Sequence, residues 1–360
     1  MRILARPASE AQGSNPYARL LYVPMRSQGA QVDEFTVWHA VTGSYDVLHL
    51  HWPEYYIAHR NPSKAYVGSV LLLLLVSWCR WRGAKVIWTV HNLGSHNRTR
   101  PLAEGLFWKI LTSRLDGYIS LNRVGEELIP RRFPALARLP YAVIPHGHYR
   151  GVYPEVATQE EARRRLKIPQ QKPLFLFFGS ISGYKGIPRL VETFQALGDS
   201  EVLLCIAGSP ARKDIEQLLR EKSREDPRIR IHLSRVPTSE VGLYFAASDV
   251  VVLPFSDIFN SGSAMLALSF DRPLLVPALG AMSELEQAVG KEWVRTYQGI
   301  LTTRDLEQAM DWALHTKRPG PAPLEPFDWD GLAADTLRFY SAALGRQITQ
   351  TLLPPEMVPK

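Results

Sequence analysis

The chain has 360 residues, more than one hydrophobic core usually organises, so two domains are expected. Hydrophobic residues make up 46% of it and only two residues are cysteine, which excludes a disulfide-rich secreted class and fits a reducing compartment. The net charge of +7 is concentrated in residues 1–150, which hold 18 Lys and Arg against 9 Asp and Glu.

In chain order, short apolar segments rich in branched side chains alternate with helical patterns. The first half has predicted strands at 2–5, 47–50, 85–90, 117–121 and 141–145. Residues 65–79 carry no charge but fall short of the ~20 apolar residues of a membrane span, which predicts a buried helix. The end of this segment, Trp78-Cys79-Arg80-Trp81-Arg82, has Trp and Arg side chains that suit the headgroup region of a membrane, so a helix at the membrane interface is the alternative.

A polar stretch at 151–172, which contains a predicted short helix at 160–166, is interpreted as a linker. After it, predicted strands and helices alternate again. The second half has predicted strands at 174–178, 202–208, 229–233, 250–254 and 273–277, and a last helix at 329–343. Strands alternating with helices predict an α/β fold with doubly wound parallel sheets. The predicted domains are 1–150 and 151–325, followed by a helical segment at 326–345.

In open parallel sheets, ligands bind at the carboxyl ends of the strands. Gly179 and Lys185 follow the first strand of the second half. The glycine lets the backbone approach an anionic ligand closely, and the lysine supplies a point charge suited to phosphate. After the fourth strand, 257–263 leads into a predicted helix whose first N–H groups can bind phosphate. Ser261 or Ser263 could equally be only an N-cap.

Histidines follow the predicted strands of the first half. His51 and His91 each come at or after a strand end, and His146 and His148 close the domain. Because such ends share one edge of a sheet, these four are expected to converge, and at least one is expected to be functional. His49 is set aside because it should point into the sheet.

These pieces resemble a known family. Residues 178–186, 206–208, 244–255 and 272–276 are similar in order and spacing to the nucleotide-binding half of GT-B glycosyltransferases of the glycosyl transferases group 1 superfamily. The resemblance implies two Rossmann-like domains facing a cleft, with an acceptor-binding N-terminal domain and a nucleotide-sugar-binding C-terminal domain. It also implies that the last helix crosses back to the N-terminal domain.

The resemblance also implies roles for donor-side residues. Lys185 would contact the donor diphosphate, the loop at 260–263 would cradle it, and Asp257 would hold hydroxyl groups of the sugar. The implied donor-binding residues are Gly179, Lys185, Asn260, Ser261, Gly262 and Ser263. Two positions depart from the family pattern, since Ser180 replaces a basic residue and Met265 replaces a second Glu.

A further set of motifs lies at residues 15–17, 49–54, 90–93, 146–149 and 261–264. Together they are similar to those of bacterial exopolysaccharide β-mannosyltransferases, which use GDP-mannose and a polyprenyl-diphosphate-linked oligosaccharide. The resemblance to the wider superfamily implies that His91, after the strand at 85–90, lies beside the transferred sugar. An inverting reaction needs a general base, and Glu54 is the first candidate, with His51 and His146 as alternatives. The implied acceptor-side residues are Asn15, Tyr17, His51, His146 and His148.

The expected partners are a sugar nucleotide and a glycolipid or saccharide acceptor. The basic first half also suits an anionic membrane, whereas no recognisable motif supports nucleic acid. No metal is required, because cationic side chains and a helix terminus can stabilise the departing diphosphate. The acidic pair Asp328 and Asp330, at the start of the last predicted helix, is better explained by helix capping than by ion binding. The start of the chain has no long apolar run, so a cytoplasmic location is expected, with peripheral attachment to the inner face of the plasma membrane left open.

Three other functions remain open from the sequence. A retaining glycosyltransferase that uses a UDP-sugar would need no general base. A sugar-nucleotide epimerase can share this fold and would need no acceptor. A non-catalytic subunit that binds a nucleotide sugar would fit the departure at Met265.

Overall fold

The structure, a computed structural model, describes residues 1–9, 15–94, 100–154 and 158–346, and residues 155–157 of the predicted linker lie outside these ranges. The chain forms two compact units, Met1–Pro145 with Asp328–Lys360, and His146–Phe327. The sequence placed the boundaries at 150 and 325. His146 and His148, assigned from sequence to the first domain, therefore lie in the second unit.

A sheet of six parallel strands organises the first unit. These are β1 (Arg2–Arg6), β2 (Gln31–Glu34), β3 (Val47–His51), β4 (Lys85–Val90), β5 (Gly117–Ser120) and β6 (Tyr141–Val143). Their order is β2-β1-β3-β4-β5-β6. The direction of winding reverses between β1 and β3, so the carboxyl ends of these strands flank a topological switch point, where ligands bind in such folds.

A second six-stranded parallel sheet organises the other unit. It contains β7 (Leu174–Phe178), β8 (Leu203–Ala207), β9 (Ile229–His232), β10 (Val250–Val252), β11 (Leu274–Pro277) and β12 (Val294–Tyr297). The order β12-β11-β10-β7-β8-β9 is the doubly wound order of dinucleotide-binding folds. Its switch point lies between β7 and β10, the strands after which the sequence placed its donor-side residues.

Helices connect the strands of both sheets. Those of the first unit are α1 (Tyr17–Ser27), α2 (Val37–Thr42), α3 (Glu54–Ile57), α4 (Pro62–Trp81), α5 (Pro101–Thr112) and α6 (Gly125–Arg132). Those of the second unit are α7 (Gln159–Leu166), α8 (Ile187–Gln195), α9 (Lys213–Glu225), α10 (Val241–Ala247), α11 (Gly262–Ser269), α12 (Met282–Val289) and α13 (Thr303–His315).

The last helix, α14 (Trp329–Ala343), belongs to the first unit and has the bounds that the sequence predicted. Its Trp329, Leu332 and Tyr340 are buried in one core cluster with Tyr17 and Tyr22 of α1. The first unit is therefore built from both ends of the chain.

Two strands were missing from the sequence-based prediction. β2 reads Gln-Val-Asp-Glu and β12 reads Val-Arg-Thr-Tyr, and each lies at the edge of its sheet. An edge strand pairs on one side only and is less buried, so it lacks the continuous apolar run that marks the inner strands.

The prediction that residues 65–79 form a buried helix was wrong about burial. They lie within α4, whose Ala65, Leu72 and Val76 are buried against the unit. The opposite side is apolar too, yet it is exposed, with Leu74 62% and Trp81 76% accessible. A helix that is apolar all round carries no signal of which side faces solvent.

Candidate functional site

The donor-side residues of the second unit meet at the switch point between β7 and β10. Gly179 has a φ of +128°, and a Cβ there would lie 3.2 Å from Ser263 Oγ. A Cβ on Gly208 would overlap the carbonyl oxygen of Gly179, 1.8 Å away. Only glycine fits both positions, and the backbone after β7 thereby lies against the start of α11.

The start of α11 is capped by Ser261. Its Oγ accepts a hydrogen bond from the Ala264 N–H at 3.1 Å, and the side chain is buried. Its hydroxyl therefore serves as the N-cap, the simpler of the two roles left open by the sequence. Gly262 and Ser263 follow in the first turn and are half-buried. The N–H groups of a first turn and the helix dipole favour an anion at this point.

Lys185 is a buried cation on the neighbouring loop. It is 8% exposed, and its Nζ lies 4.6 Å from the centre of the Phe255 ring. Burial lowers its pKa to about 8, and within the described part of the chain no carboxylate contributes to that pKa. A Cβ on the adjacent Gly186 would lie 1.9 Å from the Pro254 carbonyl oxygen, so the loop packs directly against the end of β10.

The remaining donor-side residues precede α11. Asp257 is exposed and Asn260 is half-buried. Burial, and then the charge of Asp257, raise the pKa of Tyr184 on the Lys185 loop. The loops after β7 and β10 thus hold all the residues that the sequence assigned to the donor.

His146 and Tyr149 lie beside the same helix start. A Cβ on Gly262 would lie 3.1 Å from the Tyr149 hydroxyl and 3.5 Å from His146 Nε2. His146 Nδ1 donates to the Gly147 carbonyl at 2.8 Å, and burial lowers the pKa of this ring to about 4. At neutral pH the ring is therefore uncharged, with its proton on Nδ1.

His148 has a backbone role. Its N–H donates to the Phe327 carbonyl at 3.1 Å, and its Nδ1 accepts from the Arg150 N–H at 3.2 Å. The first of these bonds joins the beginning of the second unit to its last residue. His146 and His148 thus belong to the second unit, and His51 and His91 belong to the first.

His51 and His91 do converge, at the carboxyl ends of β3 and β4. His51 Nδ1 lies 2.9 Å from His91 Nε2. Trp52 has a φ of +47°, a conformation that is uncommon for a residue other than glycine, and its indole stacks on His91 at 4.0 Å. Tyr17 packs edge-on against His91 at 4.8 Å, and its N–H donates to Asn15 Oδ1 at 3.1 Å.

His49, which was set aside from the sequence, is linked through the Tyr22 hydroxyl to His51. It does point into the unit and is fully buried, but its Nδ1 lies 2.6 Å from the Tyr22 hydroxyl, which in turn lies 2.8 Å from His51 Nε2. Its Nε2 lies 2.7 Å from Thr89 Oγ1, and Tyr340 of α14 also contacts its Nδ1. No periodic signal in the sequence links α1 or α14 to β3, so this network could not be predicted.

Glu54 is a buried carboxyl group at the first position of α3. It is 4% exposed and accepts a hydrogen bond from Asn92 Nδ2 at 2.9 Å. Burial raises its pKa to about 7, and the Asn92 bond opposes part of that rise. A carboxyl group with this pKa can take up a proton near neutral pH. Asn92 was missed as a site residue, although it directly follows His91.

A family model and a characterised protein both match the chain. The model of the family "Glycosyl transferases group 1" matches residues 158–262, from α7 to the start of α11. The chain is 30% identical over 335 residues to the GDP-mannose:glycolipid 4-beta-D-mannosyltransferase of Xanthomonas campestris pv. campestris. That match covers 92% of this chain and 90% of the relative.

Solved structures share the fold. Sucrose-phosphate synthase from Thermosynechococcus elongatus matches with a TM-score of 0.67 at 18% identity, over 96% of this chain and 99% of that one. HepE from Anabaena, in complex with UDP-glucose, matches with a TM-score of 0.63 at 14% identity, over 96% and 98%. The two six-stranded parallel sheets are those of the GT-B fold. Since a relative of 30% identity also matches nearly the whole chain, the protein belongs to the glycosyl transferases group 1 family and is a glycosyltransferase.

Proposed function

We propose that this glycosyltransferase moves mannose from GDP-mannose to a glycolipid such as a polyprenyl-diphosphate-linked oligosaccharide, in exopolysaccharide assembly. The observation that carries the proposal is the identity of 30% over 335 residues with a relative whose name gives this donor and a glycolipid acceptor. The roles below are proposed for residues of this chain from their surroundings.

The donor diphosphate is proposed to bind at the switch point of the second unit. The buried Lys185 supplies a positive charge, and the first turn of α11 supplies N–H groups. Gly179, where a Cβ would lie only 3.2 Å from Ser263 Oγ, leaves room for the phosphates beside the loop after β7. The other residues proposed to hold the donor are Asp257, Asn260, Ser261 and Gly262. His146 is proposed to contribute to the diphosphate site as well, because its ring lies beside Gly262.

Stabilisation of the departing GDP is proposed to need no metal ion. Lys185 and the dipole of α11 together offer charge where the diphosphate leaves. Among the described residues, no group of three His, Cys, Asp or Glu side chains is arranged to hold a metal. We expect turnover to persist in excess EDTA, and restoration of lost activity by Mg²⁺ or Mn²⁺ would contradict this assignment.

The first unit is proposed to bind the acceptor and to carry the base. A β-linked product from the α-linked donor requires inversion, and inversion requires a base for the acceptor hydroxyl. Glu54 is proposed for this role because its pKa of about 7 makes it a base near neutral pH. His91 is proposed to lie beside the transferred sugar, with Asn15, Tyr17 and His51 on the acceptor side.

The test is a donor panel of GDP-mannose, UDP-glucose and UDP-galactose, assayed with and without a lipid-linked oligosaccharide. We expect GDP release only when GDP-mannose and the acceptor are both present, with a β-linked product by NMR. Turnover of a UDP-sugar with an α-linked product would favour the retaining alternative. Isomerisation of a sugar nucleotide without acceptor would indicate an epimerase, and binding without turnover a non-catalytic subunit.

We also propose that the exposed side of α4 docks peripherally on an anionic membrane of the cytoplasmic face. The apolar surface extends beyond α4, because Trp38 on α2 is 72% exposed and Leu102 on α5 is 91% exposed. α2 packs on α4, as shown by the hydrogen bond from Arg82 of the α4 C-cap to the Val41 carbonyl. Trp78 and Trp81, whose ring centres lie 5.1 Å apart, form an aromatic pair that suits the depth of lipid headgroups.

Basic side chains adjoin this apolar surface. Arg80, Lys85 and Arg114 line a cavity of about 620 Å³ beside Trp81. Asp116 pairs with Arg80 and Lys85, which leaves the lining with a net positive charge. A cationic cavity next to an apolar helix complements an anionic bilayer surface, and a lipid-linked acceptor would be presented there.

Vesicle sedimentation tests this surface. Leu74→Glu and Trp81→Glu are expected to weaken binding to phosphatidylglycerol-containing vesicles about tenfold or more, because each removes an apolar group worth about 1.5–3 kcal/mol when buried. Leu314→Glu, a similarly exposed leucine on α13, serves as the matched control and should bind like the wild type. Equal binding of all three variants, or equal binding to neutral vesicles, would contradict the proposal.

A further inference from the structure

A continuous chain of buried polar side chains leads through the first unit to His91. Thr89 Oγ1 lies 2.7 Å from His49 Nε2, and His49 Nδ1 lies 2.6 Å from the Tyr22 hydroxyl. That hydroxyl lies 2.8 Å from His51 Nε2, and His51 Nδ1 lies 2.9 Å from His91 Nε2. All five residues are at most 6% exposed, so their mutual hydrogen bonds replace bonds to water.

The chain restricts where the hydrogens lie. Burial lowers the pKa of His49 and His51, the latter to about 3, so both rings are neutral at physiological pH. A neutral imidazole carries one N–H and one acceptor nitrogen, and a hydroxyl donates only one hydrogen. With the Tyr22 hydroxyl donating to one of the two rings, the donors point the same way along the whole chain, either towards His91 or away from it.

Tyr340 distinguishes the two directions. Its hydroxyl and that of Tyr22 both lie within hydrogen-bond distance of His49 Nδ1. One N–H can be shared between two hydroxyl oxygens, whereas the single lone pair of an unprotonated nitrogen accepts only one strong bond. A protonated Nδ1 on His49 satisfies both contacts. Tyr22 then donates to His51, and His51 donates to His91.

We propose that Tyr22, Tyr340, His49 and His51 are positioning residues that hold His91 in the tautomer with its proton on Nδ1. His91 Nε2 is engaged as an acceptor from His51, and Nδ1–H is the donor directed at an oxygen of the transferred sugar. This assignment rests on the role proposed above for His91.

Packing adds to the effect of the tautomer. Trp52 stacks on the His91 ring at 4.0 Å and Tyr17 packs edge-on at 4.8 Å, so a flip of the ring would disturb both contacts. The direction of the hydrogen-bond chain, rather than rotation of the ring, then decides whether His91 donates or accepts towards substrate. In a buried site, the wrong tautomer removes the hydrogen bond that the reaction needs.

The test combines conservative variants with a readout of the tautomer. Tyr22→Phe interrupts the chain, and Tyr340→Phe removes the second oxygen at His49 Nδ1. Tyr118→Phe is the control, a buried tyrosine of β5 in the same unit and outside the chain. The ¹⁵N NMR spectrum of histidine-labelled protein without substrate separates protonated from unprotonated ring nitrogens, and His91→Asn assigns the His91 signals.

We expect His91 to have a protonated Nδ1 in the wild type and in Tyr118→Phe. Tyr22→Phe and Tyr340→Phe should show a mixture of tautomers, with kcat for GDP-mannose reduced at least about tenfold and KM changed less than about threefold. A wild type with the proton on Nε2, or an unchanged tautomer in both variants, would overturn the inference.

The wild-type spectrum decides the tautomer even if a variant does not fold. It also needs no substrate. Failure of the wild type to use GDP-mannose would therefore count against the proposed function, while the spectrum would still decide the inference about the hydrogen-bond chain.

Discussion

Glu54 is the side chain whose proposed chemistry depends most on its burial. Because burial raises its pKa to about 7, the ionised base form increases as pH rises through 7, and kcat should rise with it. Glu54→Gln keeps an acceptor for Asn92 but cannot take a proton. We expect it to lower kcat by about 10²–10⁴ and to abolish that rise in a pH–kcat profile.

The control for this prediction is Glu104→Gln. Glu104 is also buried in the first unit, 5% exposed, and no catalytic role is proposed for it. This variant should keep a rise of kcat with pH, displaced to a slightly lower pH because the charge of Glu104 adds to the raised pKa of Glu54. An unchanged profile in Glu54→Gln would transfer the role of base to another group.

Lys185 permits a second prediction for a single residue. Charged hydrogen bonds contribute about 1.5–3 kcal/mol, so Lys185→Met should weaken GDP binding about 10- to 100-fold in titration calorimetry. Because its pKa is about 8, wild-type affinity for GDP should also fall as pH rises above 8, and this fall should be absent from the variant. Lys213→Met, exposed on α9, is the control. Equal affinity in both variants would remove Lys185 from the donor site.

The donor side was predictable from the sequence because local order along the chain determines it. Gly179 and Lys185 follow one strand, Ser261 follows another, and the topology brings these loops together. His49 was not predictable in the same way, since its partners Tyr22 and Tyr340 lie on helices far apart in the chain. Contacts of that kind depend on tertiary packing, and predicting strands one at a time from the sequence gives no information about it.

At the level of elements, the loop before α8 depends on close backbone packing. Gly186 has a φ of +67°, and its Cβ would lie 1.9 Å from the Pro254 carbonyl oxygen. Gly299 has nearly the same φ, +69°, but nothing lies within 4 Å of its Cβ position. Substituting alanine at each of these two glycines therefore separates the free-energy cost of the left-handed backbone conformation from the cost of a steric clash.

We expect Gly299→Ala to lower the free energy of unfolding by about 1–2 kcal/mol, the cost of left-handed backbone for an L-residue. Gly186→Ala should cost clearly more, because the overlap is with a backbone atom that cannot move aside without shifting β10. Urea unfolding of the two variants measures the difference. Equal losses would mean that the loop is not packed as tightly as the structure has it.

Elements also differ in how well their surroundings could be predicted. The inner strands β3, β4, β7 and β8 carry long buried runs and were found from sequence, whereas the edge strands β2 and β12 were not. The helical conformation of α4 was predictable, but its exposed side was not, because every position in its centre is apolar. Which side of α4 is buried depends on which other elements of the fold pack against it.

At the level of the whole molecule, buried titratable groups predict acid sensitivity. Burial lowers the pKa of His49 and His51, so the folded state binds fewer protons than the unfolded one below about pH 6.5. Their contribution to stability is complete above that pH and is lost as pH falls. Glu54 has the opposite effect between pH 4.5 and about 7, because its raised pKa makes the folded state bind more protons than the unfolded state. Since two histidines oppose this one carboxyl group, the net effect is a loss of stability on acidification.

The first unit should therefore lose about 1.4 kcal/mol of stability per pH unit below 6.5. The midpoint of thermal unfolding, followed between about pH 5 and 7, measures this loss. His51→Gln should flatten the slope, whereas His315→Gln, exposed on α13, should keep the wild-type slope. Stability that rises on acidification would contradict this balance of charges.

The return of α14 to the first unit affects how the protein is made. Ribosomes add roughly 5–20 residues per second from the N-terminus, and domains generally fold as they emerge. The second unit is one continuous stretch, His146–Phe327, and can fold during synthesis. The first unit must wait for Trp329, Leu332 and Tyr340, so its core stays incomplete until α14 has been synthesised, after the whole of the second unit.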